Sequence, residues 1–177
     1  MQIETIENSA NKNNMRDKRF IAEHRGGSLK QEQHRQLMMW ACDCAEHVLP
    51  YVGEKPDERL KNALLVAKGW IKGKTTVGEA RKASLSAISV ANESSNPIAI
   101  SVARAIGHAV ATAHMSDHSL GAALYALKAV KNVGKSIDAE RKWQNDRLPS
   151  EIMEFVLSTR GKKEKTFKDF KNKNTDR

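Results

Sequence analysis

His108, His114, Asp117 and His118 lie within eleven residues of one another, and imidazole and carboxylate are the donors that hold zinc or iron. Two histidines four apart on one helix can share a metal ion. On a continuous helix turning about 100° per residue, however, His108 would lie about 120° from His114 and about 80° from His118. A break at Ser116-Asp117 would change those angles. Histidines that flank a helix junction more commonly act as capping or hydrogen-bonding groups. These four residues therefore read as a buried polar network or a partner contact, with no metal and no catalytic residue assigned.

A second constellation is Cys42, Asp43, Cys44, Glu46 and His47. A Cys-x-Cys pair on a helix directs its side chains about 200° apart, so one metal cannot easily take both. Cys44 fits the apolar stripe of its helix and is expected in the core. Asp43, Glu46 and His47 are expected to pair with basic groups such as Arg81, each pair adding at most about 1 kcal/mol. No P-loop, dinucleotide-binding glycine motif, nucleophile elbow or zincin motif occurs. Trp40, Trp70 and Trp143 read as core anchors of three helices rather than as base-stacking platforms.

Start and stop signals define the elements that must position these groups. Ser28 and Gln31 match a capping box ahead of a helix carrying Leu37, Trp40, Ala41, Cys44 and Val48 at helical spacing, with Pro50 at its end. Pro56-Asp57-Glu58 opens a second helix that stops at Gly73. Thr76 and Glu79 repeat the capping box for a helix to about Asn92, and Asn96-Pro97 opens another reaching about His114. Ser116-Asp117 starts a helix through Lys131, and shorter helices follow at about residues 138–146 and 150–159. Alternating strand patterns are nearly absent. The fold class is all-α: one helical bundle of six to seven helices. Alanine and glycine are concentrated at 99–113 and 121–129, which makes those two helices the central, closely packed pair. Whether they pack within one chain or across a homodimer stays open.

The 177 residues suit one domain, and 40% hydrophobic with 29% charged residues excludes a wholly disordered chain. No apolar run reaches the length of a membrane span or a signal-peptide core. Cys42 and Cys44 are too close for a useful loop-closing disulfide, which is consistent with a reducing compartment. The expected location is cytoplasmic, with no membrane contact. The net charge is +9. Residues 161–177 hold seven basic and three acidic groups, so +4 of that excess sits in the last stretch. The chain accordingly divides into a mobile polar arm (1–16), an all-α domain (17–160) and a basic, disordered tail (161–177).

Several segments, in order and with consistent spacing, carry a family likeness. They are Arg19-Phe20-Ile21-Ala22-Glu23-His24-Arg25-Gly26-Gly27, His34-Arg35, Trp40-Ala41 and Asp43-Cys44-Ala45-Glu46-His47-Val48-Leu49-Pro50. Further on come Gly78-Glu79-Ala80-Arg81, Gly107-His108-Ala109, Ala113-His114, Asp117-His118 and Leu148-Pro149. Together they resemble the immunity proteins of bacterial polymorphic-toxin systems, in the immunity family numbered five, over roughly residues 17–160. Cys42 departs from the pattern, where a small apolar residue is expected. The resemblance implies a small all-α protein that neutralises a cognate toxin by binding, with neither catalysis nor cofactor. An inhibitor that plugs a nuclease channel is usually acidic. This basic chain instead implies an acidic surface on the toxin, or binding away from a nucleic-acid groove. The alternatives are a nucleic-acid-binding helical protein using the basic tail and, behind it, a small metalloenzyme built on His108, His114 and His118.

Overall fold

A computed structural model describes residues 16–167, and seven α-helices account for most of them. They are α1 (Gln31–Val48), α2 (Glu58–Ile71), α3 (Val77–Glu93), α4 (Pro97–Ala111), α5 (His118–Val133), α6 (Ile137–Asn145) and α7 (Ser150–Thr166). Short 3₁₀ turns at Lys18–Phe20 and Glu23–Arg25 precede α1, and a third at Leu49–Val52 follows it. No strand forms among the described residues; an isolated bridge joins Ala22 to Leu29. None of the described helices is long and apolar enough to cross a membrane. The expected arm over residues 1–15 and the tail over 168–177 lie outside the described residues.

The strongest local signals form as expected. Thr76 accepts from the Glu79 N–H at 3.1 Å while the Glu79 carboxylate accepts from the Thr76 N–H at 2.7 Å, satisfying amides that the first helical turn leaves free. Asn96 Oδ1 accepts from Ile98 and Ala99 ahead of Pro97. Gly73, with φ of 69°, closes α2 in the left-handed region that favours glycine.

One expected cap does not form. The Ser28 N–H bonds the Lys18 carbonyl and the Leu29 N–H bonds that of Ile21, so Ser28 is held in the bridge to the N-terminal segment. Helix α1 begins at Gln31, and the Gln33 side chain accepts from the Lys30 N–H at 2.9 Å. Helix α4 stops at Ala111, three residues short of the expected end, and α7 runs through Thr166, past the expected end at residue 159. Residues 161–166 of the expected tail are therefore helical.

The alanine-rich helices are the centre. Helix α4 packs on α5, α3, α1 and α2, and Ala103, Ala105, Ile106, Gly107, Ala109 and Val110 along it are all buried. A Cβ on Gly107 would stand 2.5 Å from Ile88 Cδ1, and the Ser84 hydroxyl donates to the Gly107 carbonyl at 2.9 Å. Only the missing side chain lets α3 approach α4 this closely. Trp40 is buried in this core as expected, whereas Trp70 and Trp143 are only half-buried. Trp143 is a surface platform rather than a core anchor.

Candidate functional site

The break between α4 and α5 is the organising feature. Residues 112–117 turn back on themselves, with the Thr112 hydroxyl donating to the His108 carbonyl at 3.1 Å and Ser119 to the Ser116 carbonyl at 2.7 Å. The Ser116 hydroxyl donates to the Phe20 carbonyl at 2.5 Å. Arg16 grips the junction from the same segment: its Nε and Nη2 donate to the two Asp117 carboxylate oxygens at 3.1 and 3.0 Å. Asp117 is the residue before α5, but its side chain caps no helical amide. Arg16 was expected in the mobile arm; this two-point bond fixes it.

Around that break the three histidines converge, which a continuous helix would not allow. His108 Nδ1 lies 3.1 Å from His118 Nδ1, and the His118 ring is 5.2 Å from that of His114. His118 is thus the middle of a row. Two ring nitrogens at hydrogen-bond distance need one proton between them, so the His108–His118 pair is neutral or singly charged. Burial, then His118, Lys163 and Arg104, pushes His108 down to about 4. Burial also lowers His114 and His118, against the opposing pull of the Asp117 carboxylate on both. Gly121 makes the pair possible, because a Cβ there would sit 2.5 Å from His108 Nδ1.

On one side of the junction a cavity of about 570 Å³ opens between the N-terminal segment and α1. Its wall carries Arg16, His24, Arg25, Lys30 and His114, with Glu23 as its one carboxylate. The buried Nδ1 of His114 has no hydrogen-bond partner among the described residues. His34 Nε2 lies 2.6 Å from the Thr112 carbonyl; a carbonyl only accepts, so this nitrogen carries the hydrogen. The His34 ring leans on Trp70 at 4.9 Å. Arg81, exposed in the second turn of α3, acts electrostatically on His114 and makes no ion pair among the described residues.

The second constellation lies elsewhere and has different partners. Glu46 pairs with Lys68, not with Arg81. His47 Nδ1 stands 2.8 Å from Glu140 Oε2, out of line for a hydrogen bond. Its ring stacks on Trp143 at 3.7 Å, and the Arg147 guanidinium lies 3.7 Å from the same indole. Beneath them Gln144 is fully buried: it donates to the Ala123 carbonyl at 3.1 Å and to Glu140 at 3.3 Å, and accepts from Arg160 at 3.2 Å. The Trp40 indole donates to the Gln144 carbonyl at 2.9 Å. Asp43 is exposed, and its pKa is raised by partial burial and by Glu46. Both thiols are buried; desolvation pushes Cys42 up to about 12 and Cys44 well above its ordinary value. Such thiols are poor nucleophiles.

The eight candidate residues thus separate. His108, His114, Asp117, His118 and Arg81 gather at the α4–α5 junction, while Asp43, Glu46 and His47 belong to the α1–α6 side. The described residues hold no group of three or more His, Cys, Asp or Glu side chains arranged to bind a metal ion. Arg16, His24, Arg25 and His34 were not foreseen as site residues. His24, Arg25 and His34 stand in segments that carried the family likeness; Arg16 has no local signal, because its partner is 101 residues away. No curated protein and no solved structure matches the chain. The family model described as Imm-5 like putative immunity protein matches residues 27–151. That match covers more than two thirds of the chain, and the protein belongs to this family.

Proposed function

We propose that the protein neutralises a cognate toxin by protein–protein binding, without catalysis, and that the toxin contacts the cationic mouth of the cavity beside the α4–α5 junction. The observation that carries this reading is the charge of that wall. Arg25 and Lys30 are exposed at its rim and outnumber its one carboxylate, Glu23, while Arg16, already bonded to Asp117, and the His114 imidazole lie further in. Cations gathered on one concave surface favour an acidic loop and steer its approach. The Trp70–His34 pair beneath adds an aromatic floor of the kind that anchors interfaces. An acidic contact also fits a basic inhibitor better than a plug for a nucleic-acid channel does.

Co-expression with a candidate toxin tests the reading, together with the affinity of the purified pair. Arg25→Glu and Lys30→Glu replace exposed side chains of that wall and leave the core alone. Each is expected to weaken binding by about tenfold or more and to reduce protection in cells. Unchanged affinity in both would exclude this surface. Failure of the unaltered chain to protect cells would exclude neutralisation itself. Nucleic acid that co-purifies, and is lost with residues 161–177 and at high salt, would favour the basic-tail reading instead.

A further inference from the structure

On the other side of the Arg16–Asp117 bond lies a second cavity, of about 640 Å³. Three helices bring cations to it. Arg104 comes from α4, Lys128 from α5 and Lys163 from the last turns of α7, while the His108 and His118 imidazoles and Tyr125 line the wall between them. Arg104 lies 5.8 Å from the Tyr125 ring, and that ring stacks on His108 at 5.2 Å. Neither Arg104 nor Lys163 has a carboxylate partner among the described residues. Asp117 is the one acid in the wall, and Arg16 already occupies both of its oxygens.

Arg104 and Lys163, grouped with no carboxylate partner among the described residues, repel one another and favour an anionic ligand between them. We propose that this cavity binds a phosphate group, held by Arg104 and Lys163 with the His108–His118 pair as donor. Arg104 supplies several N–H donors in a fixed fork and Lys163 a mobile point charge, the two complementary ways in which proteins hold phosphate oxygens. The imidazole pair can take up one more proton when a dianion arrives. A carboxylate carries at most half the charge of a phosphate dianion and offers fewer acceptor oxygens to the two cations. Gly121 is part of the site's construction, since any side chain there would displace the His108 ring.

The proposal is independent of the toxin reading and needs no toxin to test. The full chain is titrated with inorganic phosphate at pH 6.5 and constant ionic strength, and the imidazole signals of all six histidines are followed by NMR. Saturable shifts confined to His108 and His118 are expected, with His24 and His47 as internal controls. Lys163→Ala changes an exposed side chain and is expected to leave the fold intact; it should weaken binding by about fivefold, and Arg104→Ala with Lys163→Ala by more than about tenfold. Competition by adenosine monophosphate would assign the phosphate to a small molecule, and competition by a short single-stranded oligonucleotide to a nucleic-acid backbone. Non-saturating shifts, equal shifts in all histidines, or unchanged binding in Lys163→Ala and the double variant would overturn the proposal.

Discussion

The two polar regions of this molecule use similar residue types to opposite ends. On the α1–α6 side, Glu140, Gln144 and Arg160 are buried, and each finds an acceptor or donor across helices α1, α5, α6 and α7. At the α4–α5 junction, Arg104, Lys163, Arg25 and Arg81 meet no carboxylate among the described residues, whereas each side has one buried imidazole nitrogen without a hydrogen bond, at His47 and at His114. A satisfied buried network specifies one packing arrangement. A half-satisfied one spends stability on something outside the chain. The contrast separates the part that holds the bundle from the part available to a partner.

The largest effect is expected where the network is cut. Gln144→Ala removes partners of Arg160, Glu140 and the Ala123 carbonyl at once, and should cost about 3 kcal/mol, read as a lower urea midpoint. Arg25→Glu, at the junction rim, should stay within about 0.5 kcal/mol. Equal costs would erase the distinction.

The junction also makes stability depend on pH. The His108 pKa is about 4 in the folded chain against an ordinary value of 6.5, so below pH 6.5 the unfolded chain binds the extra proton. Stability is therefore full above 6.5 and is lost as the pH falls towards 4, by about 2–3 kcal/mol for this group. His34, His114 and His118 are shifted the same way and add to the slope. His108→Gln should flatten it, as measured by urea unfolding at pH 7.5 and 4.5.

A smaller effect tests how the junction is built. Gly121→Ala drives a methyl into His108 and should cost about 1–3 kcal/mol while separating the two histidine signals. Gly78→Ala, whose Cβ would meet nothing nearer than Thr76 Oγ1 at 3.8 Å, should instead raise stability by about 0.5 kcal/mol. The smallest expected effect is none: Cys42 and Cys44 should resist a thiol reagent at pH 8 until denaturant is added. Rapid labelling of the native chain would show that the α1 side opens.

Much of this was legible from local chemistry. Thr76 with Glu79, and Asn96 with Pro97, decide their helix starts through atoms at most three residues apart, so composition and spacing suffice. The same logic failed at Ser28, whose backbone is taken by Lys18 through a bridge that no local pattern announces. Trp143 looked like a core anchor because apolar size is all that a sequence offers; its partners, His47 and Arg147, face solvent with it. Arg81 was grouped with Glu46 on charge alone, yet the fold places it by His114 and gives Glu46 to Lys68.

What the sequence determined by itself was the all-α class, the order and approximate limits of the helices, the central place of the alanine-rich pair and the family likeness. Each depends on periodicity, on capping atoms a few residues apart, or on ordered motifs. What only the tertiary structure decided was which polar groups meet. His108 and His118 come within 3.1 Å because the chain breaks at residues 112–117 and Gly121 clears the space. Arg16 completes the junction from 101 residues away. A helix angle is a local quantity, whereas a site is made by where several helices end.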